Sequence, residues 1–150
     1  MNVLAINPGH NGSAALVADG KLEVYIEEER MSRQKRDGNP FKAMIWIMNH
    51  YRVDTLVICG TGSEPEHHSL PWTGENSYHA LVRKFYPHVN VISFGSYHHQ
   101  GHAAAAFYGS GFDSAAALIV DGCGSMHNLP NDDEVPEDRK FSFLETESIY

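Results

Sequence analysis

Short apolar runs separated by glycine-bearing turns open the chain. Val3 to Ile6 stops at Asn7-Pro8-Gly9, Ser13 to Val17 stops at Asp19-Gly20, and Leu22 to Ile26 follows with alternating character. Asp-Gly between such runs is a hairpin signal, so the first 26 residues predict three antiparallel strands joined by tight turns. The acidic-then-basic stretch from Glu27 to Arg36 breaks the pattern and reads as a solvated strand end and loop. Pro40, Phe41, Met44, Ile45, Ile47 and Met48 then adopt helical spacing behind a proline at a favoured helix start, which predicts a helix from about Phe41 to Tyr51.

The middle of the chain alternates strand and helix. Thr55 to Cys59 reads as a buried strand, Tyr78 to Phe85 as a helix and Val89 to Ser93 as a strand, and parallel pairing is expected across such crossovers. Between the first two, Gly60 to Gly74 has no periodicity and is rich in Gly, Ser, Pro and His, the composition of a loop that lines a site. Tyr97 to Tyr108 contains an alanine run with high helix propensity and ends at Gly109-Ser110-Gly111. Ala115 to Val120 is continuously apolar and predicts a fully buried strand that terminates in Asp121-Gly122-Cys123-Gly124-Ser125. A polar insertion from Asn128 to Arg139 precedes a last strand-like run, Phe141 to Tyr150, whose edge is expected to be unpaired and so to invite a second copy or a partner chain.

Composition narrows the function. A chain of 150 residues, 42% hydrophobic and 20% charged, is an ordinary globular sequence with room for one domain or two small ones. Its net charge of −8 repels phosphate backbones, which disfavours general binding to nucleic acid or to anionic membranes. With no apolar run near the roughly 20 residues of a membrane span and no signal pattern after Met1, the expectation is a cytoplasmic protein. Cys59 and Cys123 are too few for a disulfide framework and too far apart for a Cys-x-x-Cys site, so reduced thiols are expected.

Histidine is the unusual residue: there are ten, clustered at His67–His68 and at His98, His99 and His102. His98 and His102 are four apart in a predicted helix, which puts both rings on one face within reach of one cation, while His99 lies about 100 degrees round the helix. By itself an i, i+4 pair is also how two surface histidines look. Asp121 adds a carboxylate at the end of a predicted strand, where ligands of α/β folds gather, although an aspartate before glycine also simply makes turns. Two histidines and one carboxylate form a set that suits Fe(II), Mn or Zn. His10, between Gly9 and Asn11, is a candidate base in a turn able to cradle an anion, and Lys35 is a candidate countercharge for a phosphate. Each also reads as a solvated surface residue.

The strand and turn LAINPGHNGSA is echoed by ALIVDGCGSM, and the order of elements resembles the actin, sugar-kinase and heat-shock-ATPase superfold. Residues 1–112 would form the first α/β half and 113–150 the opening strands of the second. Three blocks go further: GHNGSAALVADG, EEERMSRQKRDGNP and YHHQGHAAAAFYGSGFDSAAALIVDGCGS resemble the amino-terminal part of the O-carbamoyltransferases of nodulation-factor, cephalosporin and aminoglycoside biosynthesis. That family is related in this domain to the tRNA threonylcarbamoyl-transfer proteins. It carries a second, YrdC-like domain that makes carbamoyl adenylate from carbamoyl phosphate and ATP.

The resemblance implies a metal, Fe(II) by preference and Mn or Zn otherwise, on His98, His102 and Asp121. It implies His10 as the base at the acceptor hydroxyl and Lys35 as a contact to the donor. The Gly60 to Gly74 loop, with His67, His68 and Trp72, is the expected acceptor contact. Acceptors of the class range over antibiotic sugars, macrolactams, lipo-oligosaccharides and hydroxymethylated bases, with long polyanions disfavoured by charge. It implies further that this chain stops within the second half, short of a last metal ligand and of any YrdC-like domain, and so lacks the complete reaction alone. Two other readings use the same residues: a metal-dependent hydrolase, although a His-Glu-x-x-His helix would have glutamate where His99 stands, and a nucleotide-binding or scaffold module without catalysis.

Overall fold

The computed structural model describes residues 1–9, 11–59, 76–94, 97–122, 126–128, 142–144 and 146–150. Strands β1 (Asn2–Asn7), β2 (Ser13–Ala18) and β3 (Lys21–Glu27) form an antiparallel meander in register Asn2↔Ala18 to Asn7↔Ser13 and Ser13↔Glu27 to Ala18↔Lys21. The turn between β2 and β3 has both central residues at positive φ, Asp19 at 49° and Gly20 at 80°, the backbone that matches the twist of paired strands. After α1 (Glu28–Ser32) and α2 (Phe41–His50), the chain returns as β4 (Thr55–Ile58), parallel to β1. Helix α3 (Ser77–Phe85) then leads to β5 (Asn90–Ser93), parallel to β4, which completes one mixed sheet in the order β3-β2-β1-β4-β5.

One face of this sheet carries the core. Leu4, Ile6, Ala14, Leu16 and Leu56 meet Ala43, Met44 and Ile47 of α2 and Tyr78 and Val82 of α3 in one buried cluster. The alternation in β1 and β2 and the helical spacing of Met44, Ile47 and Met48 are two periods addressing the same interior, which is why sheet and helices seal together.

The stretch from Glu27 to Arg36 departs from the expected solvated loop. Its first part is the short helix α1, and Glu28 is only 1% exposed. Helix α2 begins behind Pro40, which has no side-chain oxygen to cap it, so its first N–H groups need another acceptor. Glu28 supplies it, accepting from the N–H of Ala43 at 2.8 Å and of Lys42 at 3.2 Å. The following loop folds back on the β1–β2 turn: Gly12 N–H donates to the Asp37 carbonyl at 2.8 Å and Gly9 N–H to the Gly38 carbonyl at 3.0 Å. A Cβ on Gly38 would collide with the Gly9 carbonyl, so this approach requires glycine.

Helix α4 (His98–Ser110) and the short strands β6 (Leu118–Val120), β7 (Met126–Asn128), β8 (Ser142–Leu144) and β9 (Glu147–Ile149) are the remaining elements among the described residues. Two expectations are corrected here. Ala115 to Val120 is not a fully buried strand: only its last three residues are β6, and within it Ile119 is buried while Leu118 and Val120 are exposed, because β6 belongs to a two-stranded ribbon with one covered face. Phe141 to Tyr150 is not one unpaired strand either. It divides into β8, paired with β7, and β9, paired with β6 in register Leu118↔Ile149 to Val120↔Glu147.

Candidate metal centre

Helix α4 owes its existence to Ala103–Ala106 and to Gly111, which ends it in the left-handed conformation at φ 75°. His98 and His102 stand one turn apart at its amino-terminal end. Asp121 follows directly on β6, and its N–H donates to the Thr146 carbonyl at 2.9 Å, so the β6–β9 pairing fixes where its carboxylate stands. The Gly122 N–H donates to Asp121 Oδ1 at 2.6 Å, which leaves Oδ2 for the histidines. The His98 bond, reinforced by that from Gly122, holds the Asp121 carboxyl below the usual carboxylate range, in its ionised form.

The three ligand atoms form a small triangle. His98 Nε2 lies 2.8 Å from Asp121 Oδ2, His102 Nε2 lies 3.3 Å from the same oxygen, and the two Nε2 atoms are 3.0 Å apart. Donor atoms on adjacent vertices around a cation, each at about 2.0–2.2 Å from it, are separated by about 3 Å, the edge length observed here.

Protons or a cation can fill this triangle. Each Nε2 offers either one N–H or one lone pair, and an ionised carboxylate oxygen only accepts. Two forward N–H groups would both donate to Oδ2, whereas two forward lone pairs would put three donor atoms round one point. A divalent cation satisfies all three lone pairs at once, and two histidines with one carboxylate on one face is the set of open, facially ligated metal sites. His98 is 19% exposed, Asp121 33% and His102 52%, so the triangle opens to solvent on the His102 side, where a further ligand can reach it.

The neighbour of His98 has a different environment. His99 is fully buried, and its Nδ1 lies 2.9 Å from Ser148 Oγ of β9. Lys35 lies on an exposed turn after α1 and forms no ion pair among the described residues; its loop is the one bonded to Gly9 and Gly12. His10, His67, His68 and Trp72 lie outside the described residues. Cys59, just past β4, is held as the thiol by burial and so offers no ready thiolate.

Two contributors escape a reading of the sequence. Glu28 is one of three consecutive glutamates, and the available signal was the absence of a capping side chain at Pro40. Ser148 is a polar residue in a strand-like run, and nothing local marks its hydroxyl as the partner of His99.

No family model matches this chain. It is 30% identical over 137 residues to nodulation protein NolNO of Sinorhizobium fredii, an alignment covering 78% of this chain and 20% of that protein. An uncharacterised protein of Methanocaldococcus jannaschii is 28% identical over 123 residues, covering 81% of this chain and 22% of its own length. One of Synechocystis is 27% identical over 149 residues, covering 77% and 24%. The chain therefore spans between a fifth and a quarter of the length of these relatives. Among the described residues no helix is long and apolar enough to cross a membrane.

Proposed function

We propose that this chain is the metal-bearing amino-terminal part of an O-carbamoyltransferase, which passes a carbamoyl group from carbamoyl phosphate, by way of carbamoyl adenylate, to an acceptor hydroxyl. The observation that carries the reading is the His98–His102–Asp121 triangle, in which two imidazole nitrogens and a carboxylate oxygen converge at 2.8, 3.0 and 3.3 Å from one another. The three sequence blocks and the similarity to a nodulation protein point to the same chemistry, and the order β3-β2-β1-β4-β5 supports the actin-like superfold.

Carbamoyl transfer to an alcohol requires a base for the hydroxyl proton, stabilisation of charge on the carbonyl oxygen and neutralisation of the leaving phosphate. A divalent cation, Fe(II) by preference, held by His98, His102 and Asp121 supplies positive charge for the second and third needs. His10 is assigned the acceptor proton. Lys35 is assigned the donor phosphate, an assignment supported by the two hydrogen bonds that tie the loop after Lys35 to Gly9 and Gly12, which flank His10 in sequence. The hydrolase reading loses ground, because the position beside the first ligand holds a buried histidine bonded to Ser148 and provides no base there.

The test supplies the protein with Fe(II), ATP, labelled carbamoyl phosphate, the whole remaining carboxy-terminal region of an O-carbamoyltransferase in trans, and a panel of hydroxylated acceptors. Label transferred to an acceptor, and lost in both His98→Ala and Asp121→Ala, supports the proposal. Transfer that survives both substitutions, or its absence from metal-loaded protein across the panel, contradicts it.

A further inference from the structure

Helix α4 is held to the β6–β9 ribbon in an unusual way. Of its 13 residues only His99 and Ala103 are buried, so it lacks the apolar stripe that ordinarily sets the position of a helix on a sheet. Alanine makes weak and nondirectional contact, and it leaves a helix free to slide or roll by fractions of an ångström. The other buried residue of the helix, His99, is fully buried and meets Ser148 Oγ at 2.9 Å.

Ser148 stands opposite Ile119 in the β6–β9 register, two residues before Asp121. Beside the contacts of His98 and His102 with Asp121, the His99–Ser148 contact thus ties the helix that carries two ligands to the ribbon that carries the third. Helical geometry turns His98 and His99 about 100 degrees apart, so when the second faces the ribbon the first faces Asp121.

We propose that His99 and Ser148 form a latch that positions the metal ligands, a role that rests on the metal reading given above. The latch touches neither the cation nor any substrate. It fixes the roll and height of α4 so that the His98, His102 and Asp121 donor atoms stay within the separations of one coordination sphere, a tolerance of about 0.5 Å for a working site.

The experiment titrates the protein with Co(II), whose visible absorption reports coordination geometry, and measures urea unfolding separately in EDTA. The latch predicts that Ser148→Ala weakens Co(II) binding by roughly ten- to a hundredfold, the usual cost of losing a group that orients metal ligands, and alters the absorption bands. His99→Phe, which keeps a buried ring without its nitrogen, gives the same loss. The double variant loses less than the sum of the two single losses, because both remove the same contact. Ser148→Thr, which keeps the hydroxyl, restores affinity. Val82→Ala, on the buried side of α3 in the core cluster that includes neither latch residue, lowers the urea midpoint and leaves Co(II) affinity unchanged.

Wild-type affinity in Ser148→Ala, additive losses in the double variant, or an equal loss in Val82→Ala would each overturn the latch while leaving the metal site standing. Failure of the wild-type protein to bind Co(II) would overturn the metal reading and the latch with it.

Discussion

Leu56 and Ile119 are both central residues of apolar strands, and they live in different surroundings. Leu56 is fully buried on β4, between β1 and β5 of a five-stranded sheet, under two helices that contribute Met44, Ile47, Tyr78 and Val82. Ile119 is 9% exposed, but its neighbours Leu118 and Val120 are 68% and 69% exposed on a two-stranded ribbon. The first region is organised by close-packed apolar side chains. The second is organised by directional polar contacts, His99 to Ser148 and Asp121 to the two histidines. The difference teaches where chemistry can sit: ligands gather where polar groups, rather than a sealed core, set the geometry.

The comparison breaks most visibly in the packed region. Leu56→Ala should destabilise the protein by about 2–5 kcal/mol, since the sealed site has little freedom to close around the cavity. Urea unfolding monitored by circular dichroism reads this loss, and metal affinity of the folded protein should stay put. Glu28→Ala should cost about 2–4 kcal/mol, because two N–H groups at the start of α2 lose a charged acceptor. A near-neutral result in the same assay would show that water replaces the carboxylate.

Alkaline titration sharpens the picture of the same core. Burial, the neighbouring Glu28 and then Asp37 push the Tyr78 hydroxyl up to about 12 from its ordinary 10.0. Below pH 10 folded and unfolded chains both keep this proton, so the contribution is complete. Between pH 10 and about 12 only the unfolded chain releases it, so stability should fall by about 2–3 kcal/mol across that window. Tyr78→Phe should flatten this limb of the urea midpoint against pH, and an unchanged limb would assign it elsewhere.

The smallest effect belongs to the ribbon's open face. Leu118→Ser should change stability by no more than about 0.5 kcal/mol, the usual range for an exposed position, against several for Leu56. A loss as large as that at Leu56 would show that this face is covered in solution.

The contrast also explains how much the sequence discloses. In the first region the alternation of Val3–Ile6 and Ser13–Val17, the Asp19-Gly20 turn and the spacing of Met44, Ile47 and Met48 each dictate a local structure that burial reinforces. The strands, α2, α3 and the parallel crossovers there follow from pattern, whereas α1, in a stretch that reads as a solvated loop, does not. In the second region Ala115–Val120 looks like a core strand, yet it covers only one face, because apolar character cannot tell a strand with two neighbouring layers from one with a single layer. The pairing of β6 with β9 joins residues about thirty apart and leaves no local mark.

The triangle of His98, His102 and Asp121 was half legible. The i, i+4 spacing puts His98 and His102 on one face by helical geometry, but their meeting with Asp121 depends on the ribbon register. Ser148 is a residue of the fold and not of any motif. Glu28 could have been inferred only by asking who caps a helix that starts behind a proline.

The most direct measurement of the central claim is metal content per chain after reconstitution with Fe(II) under anaerobic conditions, repeated with Zn(II), and gel filtration, read by mass spectrometry. The account predicts one ion per wild-type chain, and none in Asp121→Ala or His98→Ala proteins whose urea midpoints remain close to the parent's. Wild-type protein that emerges free of both metals, or variants that carry as much metal as the parent, would contradict it.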